Sequence, residues 1–436
     1  MAFSPFDSPM FSQLYGDTEV RALFTDSADV RAMLLVEGSL ANVQGEMGII
    51  PLESALYIHR SSMEVQIDPA GLAGGMGSAG VPVPALVDAF RKAMEAPEHA
   101  QYIHWGATSQ DIVDTALILR LRQCLGILDR RLEALIATLT TKAKENRDVV
   151  MAARTRSQMS TPTTFGAKIA TWVTPLKRHR TRLSELRERL LVVSLAGASG
   201  NYAALGSQGR EVEAALAKAL KLSVAETPWH NARDGLAEFA SVLSMITGSL
   251  GKIGQDLMLL SQNEIAEVSA GAGGGSSTMP HKANPVSAEV LVTMAQHNAN
   301  QIGQMHQALV HTNERDGVTW ALERLVLPQM CIAGGVALLH AQTLAETLKA
   351  DPERMLANII ATNGQMMAEA AMFALAEYMP RPEAQALVKA CSQTAARTGQ
   401  NLREVLVGNT DAAVDWDDVF NPANAVGLAG EIVDTL

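Results

Sequence analysis

Cysteine is scarce in this sequence, with three residues among 436. Their number is odd and their spacing is wide, at Cys124, Cys331 and Cys391. This pattern provides neither a disulfide framework nor a cysteine-based zinc site, and it fits a reducing cytoplasm. The histidine and acidic residues show no metal-ligand spacing, and no Rossmann or P-loop string is present. We therefore expect a cytoplasmic protein that uses no metal and no cofactor.

An excess of positive charge is also lacking, because 35 Lys and Arg face 46 Asp and Glu, for a net charge of −11. Nucleic-acid binding needs a basic surface, so we expect no nucleic-acid partner. The first residues lack the basic and apolar regions of a signal peptide, and no apolar run approaches the ~18 residues of a membrane span. An acidic ligand would therefore need a local cluster of arginine, lysine or helix N-termini.

Aromatic residues make up only 4% of the chain, and no alternating strand pattern is present, whereas Ala, Leu and Met are abundant. Good helix formers dominate, and apolar residues recur at helical spacing. The sequence therefore predicts an all-α fold. Five of its helices are unusually long and are expected at 111–147, 161–193, 234–265, 285–311 and 320–349.

The length of the chain exceeds what one compact core usually serves, which suggests two or three domains. Helices as long as the five above are not stable alone and occur in bundles. We predict an N-terminal helical domain over 1–110, a central five-helix bundle over 111–350 and a C-terminal helical domain over 351–436.

The most unusual segment covers 271–285, and four of its first five residues are glycine. Glycine is costly inside helices and strands, so this half predicts a mobile loop. Asn284 and Pro285 suit the N-cap and first position of a helix, whose free N–H groups favour anions. A flexible loop before an ordinary cap is the alternative. The second half carries hydroxyl, ammonium and amide groups and reads Ser276-Ser277-Thr278-Met279-Pro280-His281-Lys282-Ala283-Asn284-Pro285.

Two further segments place polar groups at predicted helix starts. In 102–111, Thr108 is followed three residues later by Asp111, which forms a capping box at the start of an apolar helix. In 153–166, Thr161 and Pro162 suit an N-cap and a first helical position. Both segments therefore predict helix N-termini that face a polar site.

The string Gly-Ser-Ser-x-Met-Pro-x-Lys-x-Asn at 275–284 resembles the signature of the fumarase/aspartase superfamily. Its members cleave or form a C–X bond beta to a carboxylate. The resemblance implies an all-α fold with a central helical bundle, a homotetramer, and active sites that take residues from three subunits.

The resemblance also implies residue roles. Ser276 would be the catalytic acid/base, with Ser277 as the alternative. Lys282 and Asn284 would hold a substrate carboxylate and stabilise the negative charge that develops on it, although Lys282 could instead be a solvated surface lysine.

The second signature segment of the superfamily, which binds substrate carboxylate, is similar to the stretch containing His104, Thr108 and Ser109. His104 would move a proton or orient a carboxylate, and a purely structural histidine is the alternative.

The third segment departs from the usual pattern, because relatives commonly carry a histidine directly after the threonine and this chain has Thr155-Arg156. An arginine cannot exchange protons at neutral pH, but it can bind a carboxylate through two hydrogen bonds. A second histidine expected of adenylosuccinate lyases is missing from 77–84. Both departures argue against purine-nucleotide and fumarate chemistry.

The residues at 104–111 and at 313–320, the latter including Arg315, are similar to those of one bacterial branch, the 3-carboxy-cis,cis-muconate cycloisomerases. These enzymes close a tri-acid to a lactone: one carboxylate oxygen adds to a double bond while a neighbouring carbon is protonated. The resemblance implies a small polycarboxylate substrate and a place in the protocatechuate branch of the beta-ketoadipate pathway. Adenylosuccinate lyase-type beta-elimination and an inactive helical scaffold are the alternatives.

One hypothesis goes beyond the resemblance. The helix starts at 108, 161 and 284 would share the three substrate carboxylates, aided by Arg156, Lys282 and Arg315. Arg324 and His230 are weaker candidates, and three ordinary caps are the alternative.

Overall fold

The computed structural model describes residues 4–271, 274–275, 279 and 282–436, and within them the all-α prediction is confirmed. In the described part of the chain, seven α-helices precede the first long one, in agreement with the helical N-terminal region expected from sequence. They are α1 (Ser12–Tyr15), α2 (Thr18–Ala22), α3 (Asp26–Glu46), α4 (Leu52–Glu64), α5 (Ala73–Ala79), α6 (Val83–Met94) and α7 (Pro97–Ala100).

The five long helices are present, and each begins and ends within five residues of its predicted bounds. One shorter helix, α10, lies between the second and the third of them. The set is α8 (Ser109–Glu145), α9 (Phe165–Leu190), α10 (Gly209–Leu220), α11 (Asp234–Leu260), α12 (Val286–Gln307) and α13 (Gly317–Thr347).

The C-terminal part consists of shorter helices, as predicted. They are α14 (Pro352–Ile360), α15 (Ala368–Leu375), α16 (Arg381–Thr398), α17 (Leu402–Val407), α18 (Trp416–Val419) and α19 (Ala429–Asp434).

Short strands join these helices, although the sequence shows no alternating strand pattern. The longest two form an antiparallel hairpin, and the other four pair as β3 with β6 and β4 with β5. The strands are β1 (Val150–Thr155), β2 (Gln158–Thr164), β3 (Val268–Ser269), β4 (Gly274–Gly275), β5 (Ala283–Asn284) and β6 (Lys349–Ala350).

The hairpin also corrects the predicted start of the second long helix. Pro162 lies in β2 opposite Ala152, next to a register shift in the ladder, and is not the first residue of a helix. A two-stranded ribbon tolerates proline because a residue at its open edge needs no ladder N–H. The helix begins at Phe165, and Thr164 Oγ1 accepts the Ala167 N–H at 3.1 Å as its cap.

The chain forms two compact units, and the division passes through all five long helices. The first unit comprises Met1–Arg131, His179–Gly248 and Thr293–Leu338, and the second comprises Leu132–Arg178, Ser249–Val292 and Leu339–Leu436. The division into three domains at 110 and 350 is not tested by this and remains a prediction.

Each unit has its own apolar core. In the first, α3, α4, α6, α8 and α10 contribute fully buried side chains, among them Leu34, Ile58, Phe90, Ile112 and Leu216. In the second, the C-terminal helices bury Ala371, Leu375, Leu402 and Leu406. The cores are built from the periodic apolar positions of the sequence, as amphipathic helices require.

Two of the described helices, α11 and α13, are long and apolar enough to cross a membrane by length and composition alone. However, 61% and 67% of their apolar windows are buried inside the protein. Core helices of soluble proteins pass the same test, so these two helices are weak evidence for a membrane span.

Candidate active site

In the first unit, the N-terminus of α8 is fixed by the buried carboxylate of Asp111. It accepts the Thr108 N–H at 2.9 Å, the Ala196 and Gly197 N–H groups at 3.0 Å each, and His230 Nε2 at 2.7 Å. One side chain therefore joins the helix start to two loops far along the chain. The weaker candidate His230 is a buried partner of this carboxylate.

The capping box predicted at Thr108 is half formed. The Asp111 carboxylate makes its expected bond to the Thr108 N–H, but Thr108 Oγ1 instead accepts a hydrogen bond from Arg315 Nη2 at 3.0 Å. The predicted residues Thr108 and Arg315 therefore lie together, while Ser109 is the first helical residue and is half-buried.

Within the described part of the chain, the guanidinium of Arg315 is held only by neutral oxygens. Besides Thr108 Oγ1 it donates to the Ala198 carbonyl at 2.9 Å, and its buried Nε has no hydrogen-bond partner in the described part of the chain. No acidic side chain pairs with it among the residues that the structure describes. A cation without a counter-ion, beside the positive end of a helix of 37 residues, favours binding of an anion such as a carboxylate.

His104 is oriented by a buried glutamate that the sequence did not reveal. Its backbone has a positive φ of 65°, and its Nδ1 lies 2.7 Å from Glu37 Oε1. Only 1% of the Glu37 side chain is exposed, against 20% for His104. Burial by itself would lower the pKa of His104, but the charge and hydrogen bond of Glu37 outweigh it, so the pKa is raised. The pair therefore favours an imidazolium in a fixed orientation.

A buried ionic cluster lies one helical turn beyond the site, also in the first unit. The Arg233 guanidinium bridges two carboxylates, with Nη1 2.6 Å from Asp114 and Nε 2.8 Å from Glu323, and Trp320 Nε1 donates to Asp114 at 3.0 Å. Burial acts to lower the pKa of Arg233, but the two carboxylates raise it overall. Sequence reasoning missed this cluster, although Asp114 stands out as a charge on the apolar side of α8.

A cavity of about 620 Å³ adjoins this cluster, with Asp114, Trp320 and Glu323 in its wall. The weaker candidate Arg324 also lines it, as does Arg120, which pairs with Asp29 at 2.8 Å. The cavity gives the first unit a recess beside α8 whose wall contains both charged and apolar side chains.

In the second unit, Arg156 occupies the tip of the β1–β2 hairpin. It and Ser157 are the two turn residues, with positive φ values of 49° and 65°, and the Arg156 side chain is exposed. Arg154, two residues earlier in β1, is already paired, because it binds the buried Glu267 with two hydrogen bonds of 2.8 and 2.7 Å. Of these two arginines, Arg156 is the one that projects from the turn.

The signature segment contributes Lys282 and Asn284 to the described part of the second unit. Lys282 is exposed, and Asn284 is half-buried in β5, paired with Gly274. The helix that follows begins at Val286, so the expectation that Asn284 is its N-cap is wrong; the Pro285 carbonyl accepts the Glu289 N–H there. The candidates Ser276 and Ser277 lie outside the described residues.

The hypothesis of three capped helix starts is therefore reduced to one. The start at 108 carries part of its predicted cap, whereas 161 lies in a strand and 284 lies two residues before α12, in β5.

Comparison with known proteins covers almost the whole chain. A family model described as "Lyase" matches residues 78–298, and one described as "Adenylosuccinate lyase C-terminus" matches residues 364–436. The 3-carboxy-cis,cis-muconate cycloisomerase of Pseudomonas aeruginosa is 40% identical, over 96% of this chain and 94% of its own length.

Relatives with another activity are similar to a lesser degree. The N-acetyl-S-(2-succino)cysteine lyase of Dickeya dadantii is 33% identical, over 100% of this chain and 97% of its own.

Among solved structures, the 3-carboxy-cis,cis-muconate lactonizing enzyme from Pseudomonas putida superposes with a TM-score of 0.92 at 37% identity, and 98% of each chain is covered.

Proposed function

Because the chain belongs to the fumarase/aspartase superfamily of lyases, we propose that it is a 3-carboxy-cis,cis-muconate cycloisomerase. It closes the tri-acid to a carboxymuconolactone in the protocatechuate branch of the beta-ketoadipate pathway, in the cytoplasm and without a cofactor. The full-length identity of 40% to a cycloisomerase, against 33% to a lyase for a succinylated cysteine, favours this branch.

The observation in the structure that carries the proposal is Arg315. Among the described residues, this partly buried guanidinium is bound only to the Thr108 hydroxyl and the Ala198 carbonyl, so it retains its full charge for a ligand. Such a guanidinium matches the planar geometry of a carboxylate, and the helix N-terminus beside it adds favourable dipoles. A substrate with several carboxylates is the ligand class that suits this corner.

In the proposed reaction, a carboxylate oxygen of the substrate attacks a carbon of the diene and forms the lactone C–O bond. The π electrons move to the neighbouring carbon, whose own carboxylate takes up the charge as a dianionic aci-carboxylate. Lys282 and Asn284 stabilise that charge, because preorganised donors act most strongly where charge develops. Ser276 then delivers the proton to that carbon, with Ser277 as the alternative donor.

The remaining candidates bind and orient the substrate. Thr108, Ser109 and Arg315 hold one carboxylate, and Arg156 holds another through its planar fork of donors. His104, kept in place by Glu37, orients a carboxylate or passes a proton. We further propose a homotetramer in which each active site takes residues from more than one subunit.

The test is an assay of the purified protein with 3-carboxy-cis,cis-muconate, followed by loss of the diene absorbance. Turnover by the wild type and its loss in Ser276→Ala support the proposal. Release of AMP from adenylosuccinate instead would identify the beta-elimination alternative. If neither substrate is turned over by the assembled wild-type protein, the scaffold alternative holds and the proposed function is wrong.

A further inference from the structure

The segment that carries Arg315 lies between α12 and α13 and is closed by one carboxylate. Asp316 Oδ2 accepts the Thr312 N–H at 3.0 Å, and its Oδ1 accepts the Val318 N–H at 2.7 Å and the Thr319 N–H at 3.4 Å. The same side chain therefore caps α13 and ties the preceding turn back onto that cap.

A second contact fixes the other side of this turn. Asn313 has a positive φ of 57°, and its carbonyl accepts a hydrogen bond from Asn231 Nδ2 at 2.8 Å. Asn231 is two residues before Arg233 of the buried ionic cluster. The turn from Thr312 to Asp316 is thus fastened both to the helix that follows and to a segment anchored in the first unit.

We propose that Asp316 is a positioning residue for Arg315, one that sets the direction in which the guanidinium meets Thr108 and the substrate carboxylate. An arginine side chain loses much rotamer freedom when it is ordered, and it reaches a given point only if its backbone is fixed. Of the residues that the structure describes, only Thr108 and Ala198, each through a neutral oxygen, hold the guanidinium itself in place. The backbone bonds of Asp316 therefore supply the orientation that a counter-ion would otherwise give. This inference rests on the proposed function, since the anion at Arg315 is taken to be the substrate.

The electrostatics of Asp316 suit this role. Hydrogen bonds from the Thr312 and Val318 backbone lower its pKa to about 2, so the carboxylate remains a full acceptor throughout the neutral range. The hydrogen bonds to the Asp316 carboxylate therefore hold the turn in the same way at every pH at which the enzyme is expected to work.

The test compares Asp316→Ala, Arg315→Ala and the double variant, with kcat and KM measured separately on 3-carboxy-cis,cis-muconate. Misplacement of a binding group by about 1 Å can lower kcat/KM on the order of 100-fold, so we expect Asp316→Ala to lose about 10- to 100-fold, mainly through KM. We expect no further loss when Asp316→Ala is added to Arg315→Ala, because the two residues then act through one group. Asp316→Asn, which keeps one acceptor oxygen, should recover part of the loss.

The matched control is Asp351→Ala, which removes the aspartate cap of α14 in the second unit. It should lower the melting temperature in the way that Asp316→Ala does but leave KM unchanged. Multiplicative losses in the double variant, or an equal KM rise in the control, would overturn the proposal.

Failure of the proposed function can be told apart from failure of this inference. If the wild type does not turn over the tri-acid, the proposed function has failed, and a crystal structure of Asp316→Ala then decides. The inference requires that Arg315 Nη2 has left Thr108 Oγ1 in that structure, and an unchanged contact contradicts it.

Discussion

The charge on His104 depends chiefly on a buried neighbour, Glu37. The pair sits 2.7 Å apart in the first unit, and the glutamate raises the pKa of the imidazole against the opposing effect of burial. A group whose pKa is raised on folding stabilises the protein fully below its ordinary pKa, and this contribution is lost as the pH rises through the raised value. The pair therefore stabilises the fold most in mildly acidic solution.

Glu37→Gln should accordingly destabilise the protein by about 1.5–3 kcal/mol at about pH 6 and by clearly less at about pH 9, since a bond to a charged group is lost only where the imidazolium exists. Urea unfolding at the two pH values measures the difference. Glu46→Gln, an exposed glutamate on the same helix, serves as the control and should be close to neutral at both. A cost that does not change with pH contradicts this account.

Arg156 is expected to act on substrate charge rather than on the fold, because its side chain is exposed at the hairpin tip. Arg156→Gln should therefore raise KM for the tri-acid far more than for a di-acid analogue such as cis,cis-muconate, since only the tri-acid has a third carboxylate to lose a partner. Steady-state kinetics on both compounds measure this. Arg60→Gln, another exposed arginine, should change neither, and equal KM increases with the two substrates would contradict a role in binding the third carboxylate.

At the scale of the element, the β1–β2 hairpin combines a firm base with a strained tip. Arg154 and the buried Glu267 form the base, whereas Arg156 and Ser157 both adopt the left-handed conformation that side chains with a Cβ disfavour. Two-residue hairpin turns of this kind ordinarily prefer Asn-Gly. The strained turn of the hairpin therefore coincides with the position of the exposed Arg156.

Ser157→Gly should relieve part of that strain and stabilise the protein by up to about 1 kcal/mol, because glycine adopts a positive φ without a steric penalty. The change keeps Arg156, so kcat/KM should stay within about twofold, far less than the tenfold that 1.4 kcal/mol of binding energy represents. Thermal unfolding and kinetics together test both statements. A fall in stability would show that Ser157 makes a contribution that outweighs its backbone conformation.

For the whole molecule, the proposed tetramer with shared sites predicts that two defective variants can restore activity when they assemble together. Alone, Ser276→Ala should be inactive or nearly so, and Arg315→Ala should retain only a small, measurable fraction of wild-type activity. If the two residues of one site come from different subunits, mixed tetramers contain some sites in which both are wild type. Unfolding the two variants together and refolding them should then restore a substantial fraction of wild-type activity.

The control for this experiment refolds each variant by itself, which should restore nothing. Light scattering on the wild type should give four chain masses. An inactive mixture whose tetramers contain both variants would show that Arg315 and Ser276 of each site come from the same subunit, and a monomer would contradict the assembly itself.

Local sequence determined the helices of this protein. Apolar spacing predicted all five long helices, because backbone bonds from residue i to i−4 and an apolar face at i, i+3 and i+4 are written in neighbouring residues. The signature segment likewise indicated the superfamily. The predicted start of α9 was wrong because it relied on local sequence alone. A threonine followed by a proline is typical of a helix cap, and only pairing with strand β1 makes it part of a hairpin.

The tertiary structure alone decided which groups meet. Arg315 reaches Thr108 across 207 residues, His230 reaches Asp111 across 119, and Glu37 reaches His104 across 67. No local pattern encodes such pairs, because they form only when packing of the helices brings distant loops together and offsets the entropy of closing the intervening chain. The sequence by itself thus determined the elements and the candidate chemical groups, and the folded arrangement determined which of those groups are oriented, charged and available to a ligand.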